Sequence, residues 1–344
     1  MTNYSCDIDK RLKPHITEDA LVLDLFAGCG GLSLGFEAAG FRTIGYEMVE
    51  SAVETYNRNL AGVCFNQFLK VGFDYPEAEK IDIVIGGPPC QPFSRFGNQM
   101  GLEDARDGFP IFIDAVRRIR PRVFMFENVA NILGRHKWYL DLIVAELRKI
   151  GYMVEYKVVN AVNYGVPQNR ERLICVGHQA SFQFPKTEQR RINVEEAIGD
   201  MMYTFDADSK FLTSEQERYI AVYEKKSHCI TPRDLHPDRP ARTITCRNLA
   251  GATSDMQRVK LLDGRRRRIE VREAARLQSF PDWFEFCGTE THQFNQIGNA
   301  VPPLLAYKMA IALKRTYKME VRHETEIKTI NMFQEQTLFD FVYV

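Results

Sequence analysis

The chain has 344 residues and carries 45 basic and 45 acidic side chains, so its formal net charge is zero. With 45% hydrophobic and 26% charged residues, the composition is typical of a soluble protein with a sizeable core, in one large domain or two ordinary ones. No run of about 18 apolar residues is present and the N-terminal segment lacks an apolar stretch, which argues against a membrane span and a secretion signal.

The first half of the chain alternates predicted strands with predicted helices. Apolar runs predict strands at residues 21–26, 42–47, 81–85, 123–126, 152–159 and 173–177. Helices are predicted between them, ending near residues 36–39 and covering residues 49–60, 111–119 and 138–150. This alternation predicts an α/β fold with a doubly wound, mostly parallel sheet.

The alternation stops after residue 178. Residues 179–270 are polar, basic and interrupted by Pro185, Pro232, Pro237 and Pro240, which predicts a smaller, irregular second domain. Helical spacing returns at residues 271–277 and 304–313, so residues 271–316 are expected to rejoin a first domain formed by residues 1–178. The tail, residues 317–344, receives no role.

Basic residues are concentrated in the second domain. Between Lys225 and Arg276 there are 14 Lys or Arg and 6 Asp or Glu. This segregation favours one basic face on an otherwise acidic body, as nucleic-acid-binding proteins have. On charge alone, a solvated surface of ion pairs explains the pattern equally well.

The eight cysteines do not form a metal-binding pattern. The closest two, Cys229 and Cys246, are 17 residues apart, and no Cys-x-x-Cys or Cys/His clip is present. We therefore expect a metal-free intracellular protein in which most cysteines are reduced, small, buried side chains.

One cysteine stands apart from this expectation. Cys90 follows the predicted strand at 81–85 within the segment GGPPCQPFS, where two glycines and two prolines end the strand abruptly. Loops at the carboxyl ends of parallel strands are where open α/β sheets bind ligands. The prolines therefore place Cys90 on a stiff loop at the edge of an active site, although a buried thiol is the alternative.

The first predicted strand leads into a glycine-rich turn. Gly28, Gly30 and Gly31 permit a tight turn and a close approach of a ligand to the following helix. The dinucleotide pattern G-x-G-x-x-G fails because residue 33 is serine, whereas Glu47, at the end of the second strand, is placed to hold ribose hydroxyls. Together they indicate an adenosine-type cofactor; a plain strand–helix turn is the alternative.

One residue and six segments follow this turn in a fixed order. They are Glu47, GGPPCQPFS at 86–94, ENV at 127–129, QNRERL at 168–173, RTIT at 242–245, and the pair REAARLQSFPD at 272–282 and QIGNAVPP at 296–303. From about residue 20 to 315 the chain thereby resembles the cytosine-C5 DNA methyltransferases of the bacterial modification type. The resemblance implies the sheet of S-adenosylmethionine-dependent methyltransferases, with residues 1–178 and 271–316 forming the catalytic and cofactor-binding domain.

The resemblance assigns catalytic roles to four residues. Cys90 would attack C6 of a cytosine as a thiolate and so make C5 nucleophilic, because covalent catalysis divides one difficult step into easier ones. Glu127 would contact N3 and the exocyclic amine with the support of Asn128, while Arg172 would hold O2. Two neighbouring side chains are expected to be structural: Gln168 and Arg170.

The implied cofactor is S-adenosylmethionine. The resemblance places eleven residues at its site: Phe26, Gly28, Gly30, Glu47, Met48, Gln67, Phe68, Pro89, Phe109, Asn299 and Val301. Met48 stands where the family has tryptophan, and Gln67 where it has aspartate. Since a glutamine carbonyl accepts the same hydrogen bond from the adenine amine, we expect weaker cofactor binding without loss of activity.

The implied partner is double-stranded DNA, read by residues 179–270 after the target cytosine has flipped out of the helix. The DNA contacts are expected from eight residues: Ser94, Arg95, Arg242, Arg247, Arg265, Arg266, Arg267 and Arg268. Residues 94–100 would form a loop that closes on the flipped base. We expect a cytoplasmic, nucleoid-associated monomer that belongs with a cognate restriction endonuclease or acts alone.

Three alternatives remain open. An RNA cytosine methyltransferase of the tRNA-acting branch shares these motifs, and HCIT at 228–231 faintly resembles that branch. A catalytically inactive DNA-binding protein would lack a nucleophile, but Cys90, Glu127 and Arg172 are all present. A nicotinamide oxidoreductase is disfavoured by the failed glycine pattern. Activity on duplex DNA against activity on tRNA separates the first from the main hypothesis.

Overall fold

The computed structural model describes residues 1–89, 107–134, 136–228, 233–250 and 256–342, with only the backbone for residues 250, 323, 324 and 326–342. Cys90, Ser94, Arg95 and the predicted loop at 94–100 lie outside the described residues. In the described ranges no helix is long and apolar enough to cross a membrane.

A seven-stranded sheet organises the described part of the first domain, in the order β3-β2-β1-β4-β5-β7-β6. Its strands are β1 Leu21–Leu25, β2 Arg42–Glu47, β3 Val63–Asn66, β4 Ile81–Gly86, β5 Val123–Val129, β6 Met153–Asn160 and β7 Glu171–His178. Strands β1 to β5 pair in parallel, and β7 lies antiparallel between β5 and β6. The doubly wound, mostly parallel sheet predicted from the sequence is confirmed.

Helices cover both faces of this sheet and also occur in the segment that follows it. The α-helices among the described residues are α1 Asn3–Arg11, α2 Gly31–Ala38, α3 Glu50–Asn59, α4 Phe109–Ile119, α5 Lys137–Ile150, α6 Val194–Met202, α7 Ser214–Lys226, α8 Cys246–Ala250, α9 Val271–Leu277, α10 Glu290–Asn299 and α11 Pro303–Val342. A two-stranded hairpin, β8 Arg258–Lys260 with β9 Arg266–Arg268, lies between α8 and α9.

The central strands are buried on both faces, as their continuous apolar runs predict. In β4, Ile83 and Ile85 pack with α2 and α11, whereas Val84 packs on the opposite face with α4 and α5. The described cysteines form no disulfide, and four of them (Cys29, Cys64, Cys175 and Cys287) are buried, in line with the expectation from the sequence.

Several elements escaped prediction. Strand β3 is only four residues long and three of them are exposed, so it lacks the apolar pattern of a buried strand. Helices α6 and α7 lie in the segment taken as irregular, although each begins with a capping box whose sequence signature was readable: Asn193 with Glu196, and Thr213 with Gln216.

The boundary predicted at residue 178 falls at the end of β7, whereas the one predicted at residue 316 falls inside a helix. Helix α11 runs without interruption from Pro303 past residue 317. Glu320 in this helix is buried, and its Oε1 accepts hydrogen bonds of 2.6 Å from the backbone N–H groups of Gln179 and Ala180. Residues 317–320 therefore pack against the segment that directly follows β7.

Candidate active site

The carboxyl ends of β4 and β5 lie side by side and bring two predicted motifs together. Register pairs Gly86 with Phe126, so Glu127 follows the last pair and faces the segment that leaves β4. A Cβ on Gly87 would lie 3.8 Å from Glu127 Oε2. Asn128 is buried, and its Nδ2 donates to Pro88 O at 2.9 Å. Asn128 thus fixes the start of the segment that continues into Cys90.

A carboxylate and a guanidinium form the centre of this edge. The antiparallel pairing of β5 with β7 places Arg172 opposite Val129, and Arg172 Nε lies 2.7 Å from Glu127 Oε1. Both side chains are 12% exposed, so each is oriented by the fold yet accessible. The pair offers a carboxylate for N–H donors and a guanidinium for a carbonyl oxygen, arranged before any substrate binds.

An open cleft of about 410 Å³ lies beside Arg172. It is lined by residues at or near the ends of β5, β6 and β7 and by one residue of the RTIT motif: Val129, Ala130, Asn131, Asn160, Asn169, Glu171, Arg172 and Thr243. The cleft leaves room for a planar polar group beside Arg172.

Gln168 and Arg170 are structural, as predicted. Gln168 is fully buried, donates to Leu277 O and accepts from the backbone N–H of Ile244. Arg170 is 1% exposed, and burial together with the nearby charge of Arg172 lowers its pKa well below the ordinary value. These two side chains tie the segment that carries Arg172 to the motifs at 242–245 and 272–303.

In the glycine turn after β1, the space beside Gly28 is open, whereas Gly30 packs closely against Tyr56. Gly28 has φ +55° and nothing within 4 Å of an added Cβ, and its N–H donates to Glu47 Oε2 at 3.0 Å. Gly30 has φ +87°, but a Cβ there would lie 2.8 Å from the ring of Tyr56. Gly30 is buried beneath α3, so the fold needs a glycine here for packing, and its contact with a cofactor stays a prediction.

The missing third glycine also has a structural explanation. Ser33 Oγ donates to Asp24 Oδ2 at 2.7 Å beneath the turn. Asp24 is 1% exposed, and burial raises its pKa to about 7, with the charge of Glu47 adding to the rise and the Ser33 hydrogen bond opposing it. Sequence reasoning missed this pair, although an aspartate inside the apolar strand LVLDLF was a visible signal.

Exposed side chains surround the turn at the ends of β2 and β3. Glu47 Oε1 accepts from the backbone N–H groups of Met48 and Val49 at 2.9 Å, which orients its carboxylate toward Gly28. Met48 is 61% and Phe68 62% exposed. Gln67 is also exposed, and its Nε2 donates to Phe68 O at 3.0 Å. The exposed side chains of Met48, Phe68 and Gln67 therefore surround the Glu47 carboxylate.

Two further segments reach the same turn. A Cβ on Gly31 would lie 2.6 Å from Val301 O, so the segment that follows α10 lies directly against the start of α2. On the other side, the rings of Phe26 and Pro89 both approach Gly108 closely. Phe26, Pro89 and Val301 thus lie at the turn, while Asn299 is exposed next to Val301.

Phe109 does not belong to this surface. Its side chain is 0% exposed and packs edge-on against the rings of Phe126 and Tyr139, with centroids 5.2 and 5.8 Å away. The prediction of a cofactor contact by this side chain is wrong, because the first turn of α4 directs it into the core.

The four arginines predicted to contact DNA at residues 265–268 lie in different environments. Arg267 is 0% exposed and forms two hydrogen bonds with the equally buried Glu273, so it cannot reach DNA and that prediction is wrong. Arg266 pairs with Asp234 and Glu217. Arg265 is half-exposed and stacks on the rings of Phe205 and Phe211.

Much of the local positive charge is neutralised within the second domain. Arg258 is fully buried and paired with Asp234 and Glu224, and Arg276 is paired with Asp200 and Asp282. Ion pairs therefore explain a large part of the pattern, but those of Arg258 and Arg276 are buried and do not form the solvated surface of the alternative. Among the other predicted DNA contacts, Arg247 is exposed and Arg242 and Arg268 are half-buried.

Comparison with known proteins agrees with this geometry. The family model of C-5 cytosine-specific DNA methylases matches residues 21–315. The chain is 54% identical over 318 residues to the Type II methyltransferase M.AplI of Arthrospira platensis, covering 92% of each chain. It is 34% identical to the Type II methyltransferase M.XorII of Xanthomonas oryzae pv. oryzae, covering 83% of this chain and 82% of that one. A DNMT2 variant from Spodoptera frugiperda has the same fold, with a TM-score of 0.64 over 87% of this chain and 99% of that chain at 17% identity.

Proposed function

Because this chain belongs to the C-5 cytosine-specific DNA methylase family, we propose a defined reaction for it. The enzyme is a DNA cytosine-C5 methyltransferase of the Type II restriction-modification type. The proposal is that it methylates C5 of a cytosine flipped out of duplex DNA, with Cys90 as nucleophile and S-adenosylmethionine as methyl donor.

The observation that carries the proposal is the Glu127–Arg172 pair beside the segment that leads to Cys90. When the Cys90 thiolate bonds to C6, electron density moves toward N3 and O2 of the ring. Arg172 can donate to O2, and Glu127 can accept from the exocyclic amine and hold a proton shared with N3. Both groups are oriented before the reaction, so they stabilise this charge at little reorganisation cost.

The turn around Gly28 fits an adenosyl cofactor. It combines an open glycine, a carboxylate on Glu47 placed for ribose hydroxyls and an exposed apolar rim of Met48 and Phe68. Gln67 can accept from an adenine amine through Oε1, because its Nε2 already donates to the backbone. When bound, S-adenosylmethionine supplies an electrophilic methyl group. Pro89, Phe26, Asn299 and Val301 would complete the site.

DNA would bind across the edge that carries Glu127 and Arg172, in contact with the second domain. Flipping is required because C5 and C6 of a stacked cytosine are inaccessible to a side chain. With Arg267 buried and Arg266 paired, we propose these DNA contacts: Ser94, Arg95, Arg242, Arg247, Arg265 and Arg268. The Type II relatives favour a modification enzyme of a restriction-modification system. We further propose that it is a cytoplasmic, nucleoid-associated monomer that protects DNA from a cognate endonuclease.

The test is a covalent trap. The enzyme is incubated with S-adenosylmethionine and duplex DNA that contains 5-fluorocytosine, since fluorine at C5 blocks the final elimination. We expect a denaturation-resistant complex, and peptide mapping should locate the DNA adduct on Cys90. Cys90→Ala should abolish the complex and retain cofactor binding, whereas Cys6→Ala, a half-buried thiol in α1, should form it normally.

Other outcomes decide between the alternatives. A complex with 5-fluorocytosine RNA but none with DNA would support the RNA methyltransferase. Methylation by Cys90→Ala within tenfold of the wild-type rate would exclude the covalent mechanism.

A further inference from the structure

The start of α8 packs directly against the end of α10. A Cβ on Gly298 would lie 2.3 Å from Cys246 N and 2.7 Å from Thr245 C, so only glycine fits at this contact. Arg170 holds both segments: Nη1 donates to Ile244 O at 2.6 Å, and Nη2 to Gly298 O and Ala300 O at 3.1 and 3.0 Å. The segment after the RTIT motif is therefore fixed relative to residues 298–300.

One side-chain hydrogen bond spans this joint. Cys246 Sγ donates to Asn299 Oδ1 at 2.9 Å and also lies 3.5 Å from Asn295 O. The thiol is half-buried, and burial raises its pKa, which keeps it protonated and able to donate at neutral pH. Asn299 itself is exposed at the cofactor side of the joint.

We propose that Cys246 is a positioning residue that orients the Asn299 amide for the cofactor. With Oδ1 engaged by the thiol, the two N–H donors of Nδ2 are left for an acceptor such as the cofactor's carboxylate. This assignment rests on the proposed function, in which Asn299 contacts S-adenosylmethionine. Because Cys246 lies between Arg242 and Arg247 on one side and Asn299 on the other, the same bond links the proposed DNA-contacting segment to the cofactor site.

The experiment measures binding of S-adenosylhomocysteine to the full chain by calorimetry, in the absence of DNA. Cys246→Ala removes the donor and should raise the Kd about three- to tenfold, the size of one net hydrogen bond. Cys246→Ser keeps a donor and should stay within about twofold of wild type. In methylation assays the alanine variant should raise KM for S-adenosylmethionine and leave kcat nearly unchanged.

Three controls make the result specific. Cys6→Ala removes a half-buried thiol from α1 and should bind as wild type does. In an Asn299→Ala background, Cys246→Ala should have no additional effect, since the two residues act as one unit. Cys246→Val fills the site without a donor and replaces the alanine variant if thermal unfolding shows that the latter is not folded.

The outcomes are distinct. Alanine and valine variants that bind within twofold of wild type, or a serine variant as weak as alanine, would overturn the positioning role and leave the proposed function intact. A wild-type protein that does not bind S-adenosylhomocysteine would overturn the proposed cofactor and this role together.

Discussion

Replacement of Arg267 tests whether the arginine run serves the fold or the DNA. The guanidinium donates to Glu273 Oε1 and Oε2 at 2.7 and 2.8 Å and to the backbone carbonyls of Thr204, Met201 and Met202 at 3.1 to 3.3 Å. Burial would lower the pKa of Arg267, but the Glu273 carboxylate raises it above the ordinary value. The ion pair of Arg267 with Glu273 thus connects β9 to α9, and the carbonyl contacts of Arg267 connect β9 to the end of α6.

Arg267→Met leaves the Glu273 carboxylate buried without a countercharge. Breaking a buried pair in this way costs about 3–5 kcal/mol. With an unfolding entropy of about 2.1 cal/mol/K per residue, the thermal midpoint of this chain should fall by roughly 4–7 °C. Circular dichroism or differential scanning fluorimetry in the absence of DNA measures the change.

Matched variants separate charge from volume. Glu273→Gln added to Arg267→Met removes the unpaired charge but keeps an acceptor for the N–H of Glu270, so more than half of the lost midpoint should return. Arg265→Met changes a half-exposed side chain and should leave the midpoint near wild type. If Arg267→Met melts as wild type does and instead flattens the salt dependence of DNA binding, the structural role is refuted.

Three further predictions concern other buried or central groups. Asp24 ionises near pH 3.8 when unfolded and about 7 when folded, so its burial should make stability fall as pH rises between these values, by up to roughly 4 kcal/mol. Asp24→Asn should abolish that slope in urea titrations at several pH values; an unchanged slope would place the effect elsewhere. Glu127→Gln should cut kcat about 10²- to 10³-fold, whereas Glu171→Gln, in the cleft beside Arg172, should have little effect, and equal rates for both would shift the role from Glu127. Glu320→Ala should destabilise the fold by roughly 2 kcal/mol and Glu320→Gln by much less, since the amide retains the acceptor; equal losses would mean that the two backbone hydrogen bonds contribute little.

Prediction from the sequence succeeded where the pattern is local. The strands β1, β2 and β4 have the bounds that their apolar runs indicate to within one residue. The resemblance assigned Glu127 and Cys90 to one site, and the structure places Glu127 beside the segment that leads to Cys90. The same order identified the family that the comparison with known proteins shows.

Prediction failed where burial decides the role of a residue. Arg267 and Arg265 are neighbours of the same type in one run, yet one is fully buried and the other half-exposed. Phe109 and Phe68 were both expected at the cofactor, yet Phe109 is 0% and Phe68 62% exposed. A sequence pattern reports residue type and spacing, whereas exposure depends on which distant element packs against that position.

The sequence by itself therefore determined the fold class, the order of the strands along the chain and the chemistry-bearing motifs, because these depend on local periodicity and on residue identity. Only the tertiary structure decided which glycine is open at the turn, which arginine pairs with Glu273, and how Arg170 joins residues 244 and 298–300. Those contacts join residues up to about 130 positions apart. Their geometry arises from the packing of whole elements, which no short segment of the chain encodes.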